Sequence, residues 1–290
     1  MVTTRKNEGR IFNLITVVLL SLFGLAALFP MLYVLSVSIT PYTEVLKNGG
    51  FIIIPRSITF AAYAELFKHP YIFDAFKVTV FITVVGTAVN LFLTCLMAYP
   101  LSRKNMPGRN VVLMLIVFTL LFSGGIIPTY LIVKSTGLLD TVWAMIIPTA
   151  VNGFYLLIMK SFIQNLPEEI FESARIDGAR EFRILLQLVL PLSTPVLFTL
   201  GLFYTVQHWN EYFQALIYIT DPTLNPIQIV IHRILMNSQN ADMQASLDEV
   251  IPTLSLKMAS VVYATLPIIV VYPFVQKYFY KGMVIGAVKG

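Results

Sequence analysis

Several apolar stretches in this 290-residue chain reach the roughly 20 residues that an α-helix needs to cross a hydrocarbon core about 30 Å thick. Lipid offers no water to unpaired backbone groups, so such segments fold as helices that satisfy their own hydrogen bonds. Composition agrees. Hydrophobic residues make up 57% of the chain and charged residues 12%, and the mean hydropathy is +0.78. That leaves too little polar surface to coat a soluble globule. The expected fold is an all-α integral membrane protein of about six transmembrane helices, forming one domain over residues 1–290.

The spans fall at about 12–38, 73–101, 109–133, 141–164, 193–219 and 258–280. The first apolar segment, 11–39, follows Arg5, Lys6 and Arg10. It exceeds the roughly 7–15 residues of a signal-peptide core and reads as a retained first helix. Pro30, Pro128, Pro148 and Pro267 are tolerated in membrane helices because neighbouring groups satisfy the freed carbonyls. With both termini on one side, that side gathers Arg5, Lys6, Arg10, Arg103, Lys104, Arg109, Lys160, Arg175, Arg180, Arg183, Lys277, Lys281 and Lys289 on short segments. The opposite side holds fewer basic residues on two longer loops, roughly 39–72 and 220–257. Both termini are therefore expected in the cytoplasm, and the chain in the cell membrane of a prokaryote.

Other functional classes find little support. The net charge of +5 is spread over loops without the dense basic and aromatic run of a nucleic-acid binder. The single cysteine, Cys95, lies in an apolar stretch, excludes an intrachain disulfide and suits a packing role. His69, His208 and His232 are scattered, read as ordinary structural residues and form no zinc signature. No Gly-x-x-x-x-Gly-Lys-Ser/Thr phosphate loop occurs, so ATP is not bound here by that mechanism.

The segment Asn165 to Pro195 is too polar to cross a membrane. Asn165, Pro167, Glu168 and Glu169 read as a helix start, with a capping side chain, a first-turn proline and acids at the positive end of the dipole. Gly178 reads as its stop, since glycine takes the left-handed conformation that ends helices. A second short helix, about 179–188, would present Phe182, Leu185, Leu186 and Val189 on one stripe and end at Pro191. The product is a helix-turn-helix elbow.

This elbow resembles the loop of the inner-membrane permeases of ATP-binding-cassette importers, whose pattern is Glu-Ala-Ala, three residues, Gly, nine residues, Ile-x-Leu-Pro. Here it stands as Glu172-Ser173-Ala174, Gly178 and Leu188-Val189-Leu190-Pro191, with Ser173 in place of the first alanine and Leu188 in place of the isoleucine. The resemblance implies a type I importer permease in which Glu172, Ser173, Ala174, Asp177, Gly178, Ala179, Leu190 and Pro191 dock the ATPase. Trp209-Asn210-Glu211-Tyr212-Phe213 and the tail from Gln276 to Gly290 resemble the oligosaccharide-importing branch. The implied partners are a second homologous permease, two ATPase subunits that carry ATP and magnesium, an extracytoplasmic solute-binding protein and membrane lipid. No cofactor belongs to this chain, and it is not an enzyme.

Intramembrane charge is expensive, roughly 2.5–3.5 kcal/mol at a helix centre, so Glu211 in the fifth span needs a reason. Gln207, Asn210, Glu211 and Gln214 share one face of a continuous helix there. Thr83, Thr87, Asn90 and Thr94 line a face of the second span, and Asn152 and Tyr155 one of the fourth. These groups suit a translocation path for a sugar, with hydroxyls to bind and an apolar ring face to stack. They equally suit interhelical hydrogen bonding that holds the bundle together. An importer of peptides or amino acids shares the elbow. An ion-coupled secondary transporter would use Glu211 directly and show inverted repeats, and a non-transporting scaffold would tolerate changes on the polar faces.

Overall fold

With no water to pair them, the backbone groups of the spans are closed within helices. The computed structural model describes residues 3–240 and 253–287, with side chains from 12 to 236 and from 253 to 270, and contains no strand among the described residues. The last residues of the tail pattern, Val288, Lys289 and Gly290, lie outside the described residues, as does 241–252 of the second long loop.

Helix α1, Thr3–Ser38, carries Pro30. It is followed by α2, Tyr42–Lys47, α3, Ala61–Lys68, and α4, Ile72–Ser102. Phe12–Ser38 and Ile72–Ser102 are each long and apolar enough to cross a bilayer. The third expected span is not one rod. It consists of α5, Arg109–Leu121, and α6, Ile126–Ser135, bent by 118°. The break contains Gly124 and Gly125, and Gly125 has φ +88°, a conformation that only glycine enters without steric cost. The fourth is bent by 54° between the 3-10 turns of Val142–Thr149 and α7, Gly153–Gln164.

Beyond α7 come α8, Glu168–Ile176, and α9, Glu181–Ile184. A π turn, Leu185–Val189, joins α9 to α10, Leu190–Leu192. Helix α11, Thr194–Trp209, is bent by 82° from this run. Then come α12, Phe213–Tyr218, α13, Ile227–Asn240, and α14, Leu254–Ala287.

The chain divides into two compact units, the first of residues 1–70 and 231–266, the second of 71–230 and 267–290. In the first, Val37, Val45 and Ile52 form a small core with Tyr33, Leu254 and Met258. The Tyr33 hydroxyl donates to the Gly50 carbonyl at 2.8 Å, and Ser255 Oγ to the Thr40 carbonyl at 3.0 Å.

In the second, α4 is the central element and packs along α11 and α7. One core joins Cys95, Ala98 and Leu101 of α4 to Leu156, Met159 and Ile163 of α7 and to Phe171, Ala174 and Ile184 of the elbow. Cys95 is buried in it, in the packing role its context implies. Another joins Ile82 of α4 to Met145, Ile146, Ala215 and Tyr218. Asp140, with φ +53°, fastens the loop before the fourth span to the segment after α12. Its N–H donates to the Tyr218 carbonyl at 3.0 Å, and its carboxylate accepts from the N–H of Asp221 at 3.1 Å and of Thr220. Those donors hold the Asp140 carboxyl below the usual carboxylate range.

Candidate functional site: the elbow and the intramembrane seam

Helix α8 ends as the sequence implies. Gly178 has φ +77°, its N–H donates to the Arg175 carbonyl at 3.0 Å, and the Ala179 N–H reaches the Ala174 carbonyl at 2.9 Å. These are the two bonds of a Schellman end, and Ala179 packs beside the buried Ala174 where the apolar contact of that motif belongs.

Three local expectations are corrected. Asn165 does not cap α8; it is the C-terminal cap of α7, and Pro167 stands at the α8 start without a side-chain cap. Pro191 does not end the second arm, because the helical run continues through it to Leu192. The wider π turn just before it relieves the clash a proline ring makes with the carbonyl four residues back. The buried stripe also differs from the expected one: Ile184, Leu185 and Val189 are buried, while Phe182 and Leu186 are exposed.

Six of the eight residues expected to dock surround the turn. Ser173, Ala174, Asp177 and Ala179 line a cleft of about 520 Å³ with Ile170 and Ile184. Glu172 and Gly178 are exposed, Leu190 is half-buried, and Pro191 is exposed on the far arm. Ile176, at 86% exposure, is an apolar side chain presented to the outside. Sequence reasoning did not single it out, although an isoleucine directly before a cap and a helix-stopping glycine is the available signal.

The elbow is fastened to α4 by charge and rings. Arg103 lies 3.4 Å from the Phe171 ring centroid and 4.9 Å from that of Tyr99. Arg103 also pairs with Glu168 at 3.6 Å. Arg175 bridges Glu168 at 3.8 Å and Glu181 at 3.0 Å, and the Tyr99 hydroxyl donates to Glu181. That hydroxyl, with Arg175 beside it, holds the Glu181 carboxyl below its ordinary range. A carboxyl lowered in the folded state stabilises the fold above its unfolded pKa, and the contribution is lost as pH falls through the folded value. At neutral pH the Glu181 carboxylate is therefore in place to hold Arg175 and Tyr99.

Within the bundle, the polar stripe of α4 faces α11. Thr87 Oγ1 lies 3.3 Å from Thr205 Oγ1, the Asn90 amide 3.0 Å from His208 Nε2, and Thr94 Oγ1 2.8 Å from the Tyr204 hydroxyl. Asn90, Thr94 and His208 are fully buried, and Thr83 Oγ1 has no hydrogen-bond partner among the described residues. Intramembrane side-chain bonds are worth on average about 0.6 kcal/mol each, so three in register give α4 and α11 one fixed alignment. Gly86 permits the approach: a Cβ there would lie 2.6 Å from His208 Nε2. His208 was read from sequence only as an ordinary structural residue, and Tyr204 was not singled out. Only their spacing with Thr205, one turn of one helix face, could have marked them.

Asn152 and Tyr155 meet the same seam. Asn152 caps α7, its Oδ1 accepting from the N–H of Phe154 at 3.0 Å and Tyr155 at 3.2 Å, while its own N–H donates to the Tyr204 hydroxyl at 3.3 Å. The Tyr155 ring stacks on Phe203 at 5.5 Å and meets Tyr204 edge-on at 5.0 Å. Replacing Asn152 by alanine is expected to cost about 1 kcal/mol as a lost N-cap. Asn152→Ser, an uncharged cap, should restore most of it, and thermal unfolding in detergent measures both.

The fifth-span face is rearranged. Helix α11 stops at Trp209, so Gln207, Asn210, Glu211 and Gln214 do not share one continuous helical face. Asn210 is exposed, and its amide turns back onto the Val206 carbonyl at 2.8 Å, the local competition by which asparagine closes a helix. Glu211 is 6% exposed, and its carboxylate accepts from the Gln214 N–H at 2.9 Å at the start of α12. Gln207 is half-buried, and Gln214 Oε1 is buried without a partner among the described residues. Among those residues no cluster of histidine, cysteine or acidic side chains could hold a metal ion.

Comparison with known proteins places this geometry. Residues 77–285 match the family described as binding-protein-dependent transport system inner membrane component. The protein LplC of Bacillus subtilis strain 168 is 46% identical over 286 residues, covering 97% of this chain and 96% of that protein. The polygalacturonan/rhamnogalacturonan transport system permease protein YtcP of the same organism is 44% identical over 288 residues, covering 98% of this chain and all of that protein. Among solved structures, a chain of a bacterial ABC transporter involved in the import of the acidic polysaccharide alginate superposes with a TM-score of 0.85. It is 31% identical, and the match covers 93% of this chain and 97% of that one.

Proposed function

The chain belongs to the binding-protein-dependent transport system inner membrane components, the permeases of ATP-binding-cassette transporters, and on that premise we propose that it carries an oligosaccharide or sugar into the cell. It is a transport subunit and not an enzyme. ATP hydrolysis is on separate chains, two ATPase subunits work with it, a second permease completes the path, and an extracytoplasmic binding protein delivers the cargo. The polymers named for YtcP and for the alginate transporter support a saccharide cargo. Residues 1–290 act as one permease domain, with the elbow of about 165–192 facing the cytoplasm beside the terminal segments. Arg103, Arg109, Arg175, Arg180 and Arg183 on the short connections at that end support this orientation through the positive-inside bias.

The observation that carries the docking assignment is the Schellman end at Gly178 beside an exposed Glu172. It gives a short helix whose outer face is free to enter a cleft on the ATPase. Nucleotide-driven closure of that ATPase would then move α8, and alternating access follows if the helices fastened to α8 move with it. Asn90, Thr94, Asn152, Tyr155 and the group around Glu211 are assigned to the wall of the path, where they position helices and offer hydrogen bonds to hydroxyls.

The test is a mild-detergent purification of the tagged chain with the partner genes co-expressed, beside Glu172→Lys. Glu172 is available to a basic group on the ATPase, and like charges brought together across an interface cost several kcal/mol, so ATPase recovery with the variant should fall at least about tenfold while the second permease is retained. Equal ATPase recovery with both chains would reject Glu172 as a docking residue.

A further inference from the structure

We propose that Arg103 is a positioning residue of the transport cycle, the rivet that makes the elbow and α4 move as one body. The inference rests on the elbow being the ATPase-docking element.

Arg103 stands at the C-terminal cap of α4 with only 15% of its side chain exposed. Its Nε and Nη2 are buried and find no hydrogen-bond partner among the described residues. The cation is instead held by the face of Phe171, 3.4 Å away in the middle of α8 and itself 1% exposed, and by Tyr99 one turn back on α4. A guanidinium does this better than an ammonium because it is planar, weakly hydrated and stacks on rings.

The carboxylates around it are exposed, Glu168 at 63% and Glu181 at 58%. Exposed ion pairs contribute little by themselves. The buried stack therefore dominates the fastening, and the acids orient it. Tyr99 extends the grip to the second arm, since its hydroxyl donates to Glu181 of α9. Both arms of the elbow thus end on one turn of α4.

The same helix carries Asn90 and Thr94, which pair with His208 and Tyr204 of α11. A displacement of α8 passes through Arg103 and Tyr99 to α4, and through the seam to α11, with no flexible connection on the way. Mechanical coupling of this kind needs a continuous chain of packed and hydrogen-bonded groups, and these residues supply one.

The experiment uses the assembled transporter in proteoliposomes, in a Cys95→Ser background. Spin labels sit at two exposed positions, Phe92→Cys on α4 and Glu169→Cys on α8. If Arg103 rivets the two elements, the label-to-label distance keeps one narrow distribution when ATP and vanadate are added. In Arg103→Gln, and in Phe171→Leu, which keeps apolar bulk and removes the ring face, nucleotide trapping should shift or split it. Glu168→Gln should leave it narrow.

A nucleotide-driven shift in the parent chain would overturn the proposal, as would an unchanged distribution in both Arg103→Gln and Phe171→Leu. Should Arg103→Gln fail to assemble, Phe171→Leu decides alone. Absence of any ATPase in the purified parent complex would overturn the elbow assignment and take the rivet with it, an outcome visible before any label is read.

Discussion

Gly178→Val is expected to lower ATP-driven uptake about tenfold while leaving membrane insertion intact, and Gly178→Asn to stay close to the parent chain. Nothing lies within 4 Å of a Cβ built on Gly178, so crowding is not the cause. The cause is backbone conformation at φ +77°. An L-residue pays roughly 1–2 kcal/mol to enter the left-handed region, and a β-branched one is an outlier there. The chain either bears that strain or relaxes it by breaking the two bonds of the Schellman end, at about 1 kcal/mol each, so the two costs are alternatives and do not add. A penalty of about 1–2 kcal/mol lowers the population of the correctly bent elbow by roughly 5–30-fold. Asparagine visits the left-handed region readily, so it separates conformation from side-chain bulk. Uptake into proteoliposomes, with immunoblots for insertion and for the co-purified ATPase, measures each arm. Parent-level uptake by Gly178→Val would reject the elbow as the coupling element.

That prediction survives from sequence to structure because it depends on local chemistry. A glycine after a short amphipathic run, with acids in the first turn, needs no tertiary knowledge to be read as a stop. The neighbouring errors have tertiary causes. Asn165 carries the right side chain for an N-cap, but α7 runs on to Gln164 and uses Asn165 to close itself. Pro191 is a helix breaker by propensity, yet a π turn upstream gives it room. The expected third span looks uniformly apolar, and only the adjacent Gly124 and Gly125 mark the place where it folds back.

The intramembrane residues were legible as a polar set and illegible as a geometry. A helical wheel placed Asn90 and Thr94 on one face correctly, since both face α11. The same wheel failed for Asn210 and Glu211, because it assumed a helix across the position where Asn210 turns back on Val206. For His208 a wheel gives at most its face beside Tyr204 and Thr205, not its partners. Its meaning lies in Gly86 and Asn90, more than a hundred positions earlier, and a lone histidine on an apolar helix gives no hint of them.

Gly86 supplies the sharper test of that seam, because propensity and packing predict opposite signs. Within a helix, glycine to alanine ordinarily stabilises by roughly 0.5–1 kcal/mol. Here the new methyl would lie 2.6 Å from His208 Nε2 and 2.8 Å from Cδ2 and Cε1, a ring with no exposed surface and no free direction in which to retreat. Overpacking of this kind costs typically about 1–3 kcal/mol, and the bond between Asn90 and His208 is lost with it. Gly86→Ala should therefore lower the thermal unfolding temperature of the purified permease and reduce transport, although it improves the local helix. The combined Gly86→Ala/His208→Ala chain should be more stable than Gly86→Ala alone, because removing the ring opens the space the methyl needs. That coupling, read in a double-mutant cycle, separates the close approach of α4 and α11 from any independent effect of either residue. A stabilised Gly86→Ala chain, or strict additivity of the two changes, would mean that the two helices do not meet at Gly86 and His208 in the membrane.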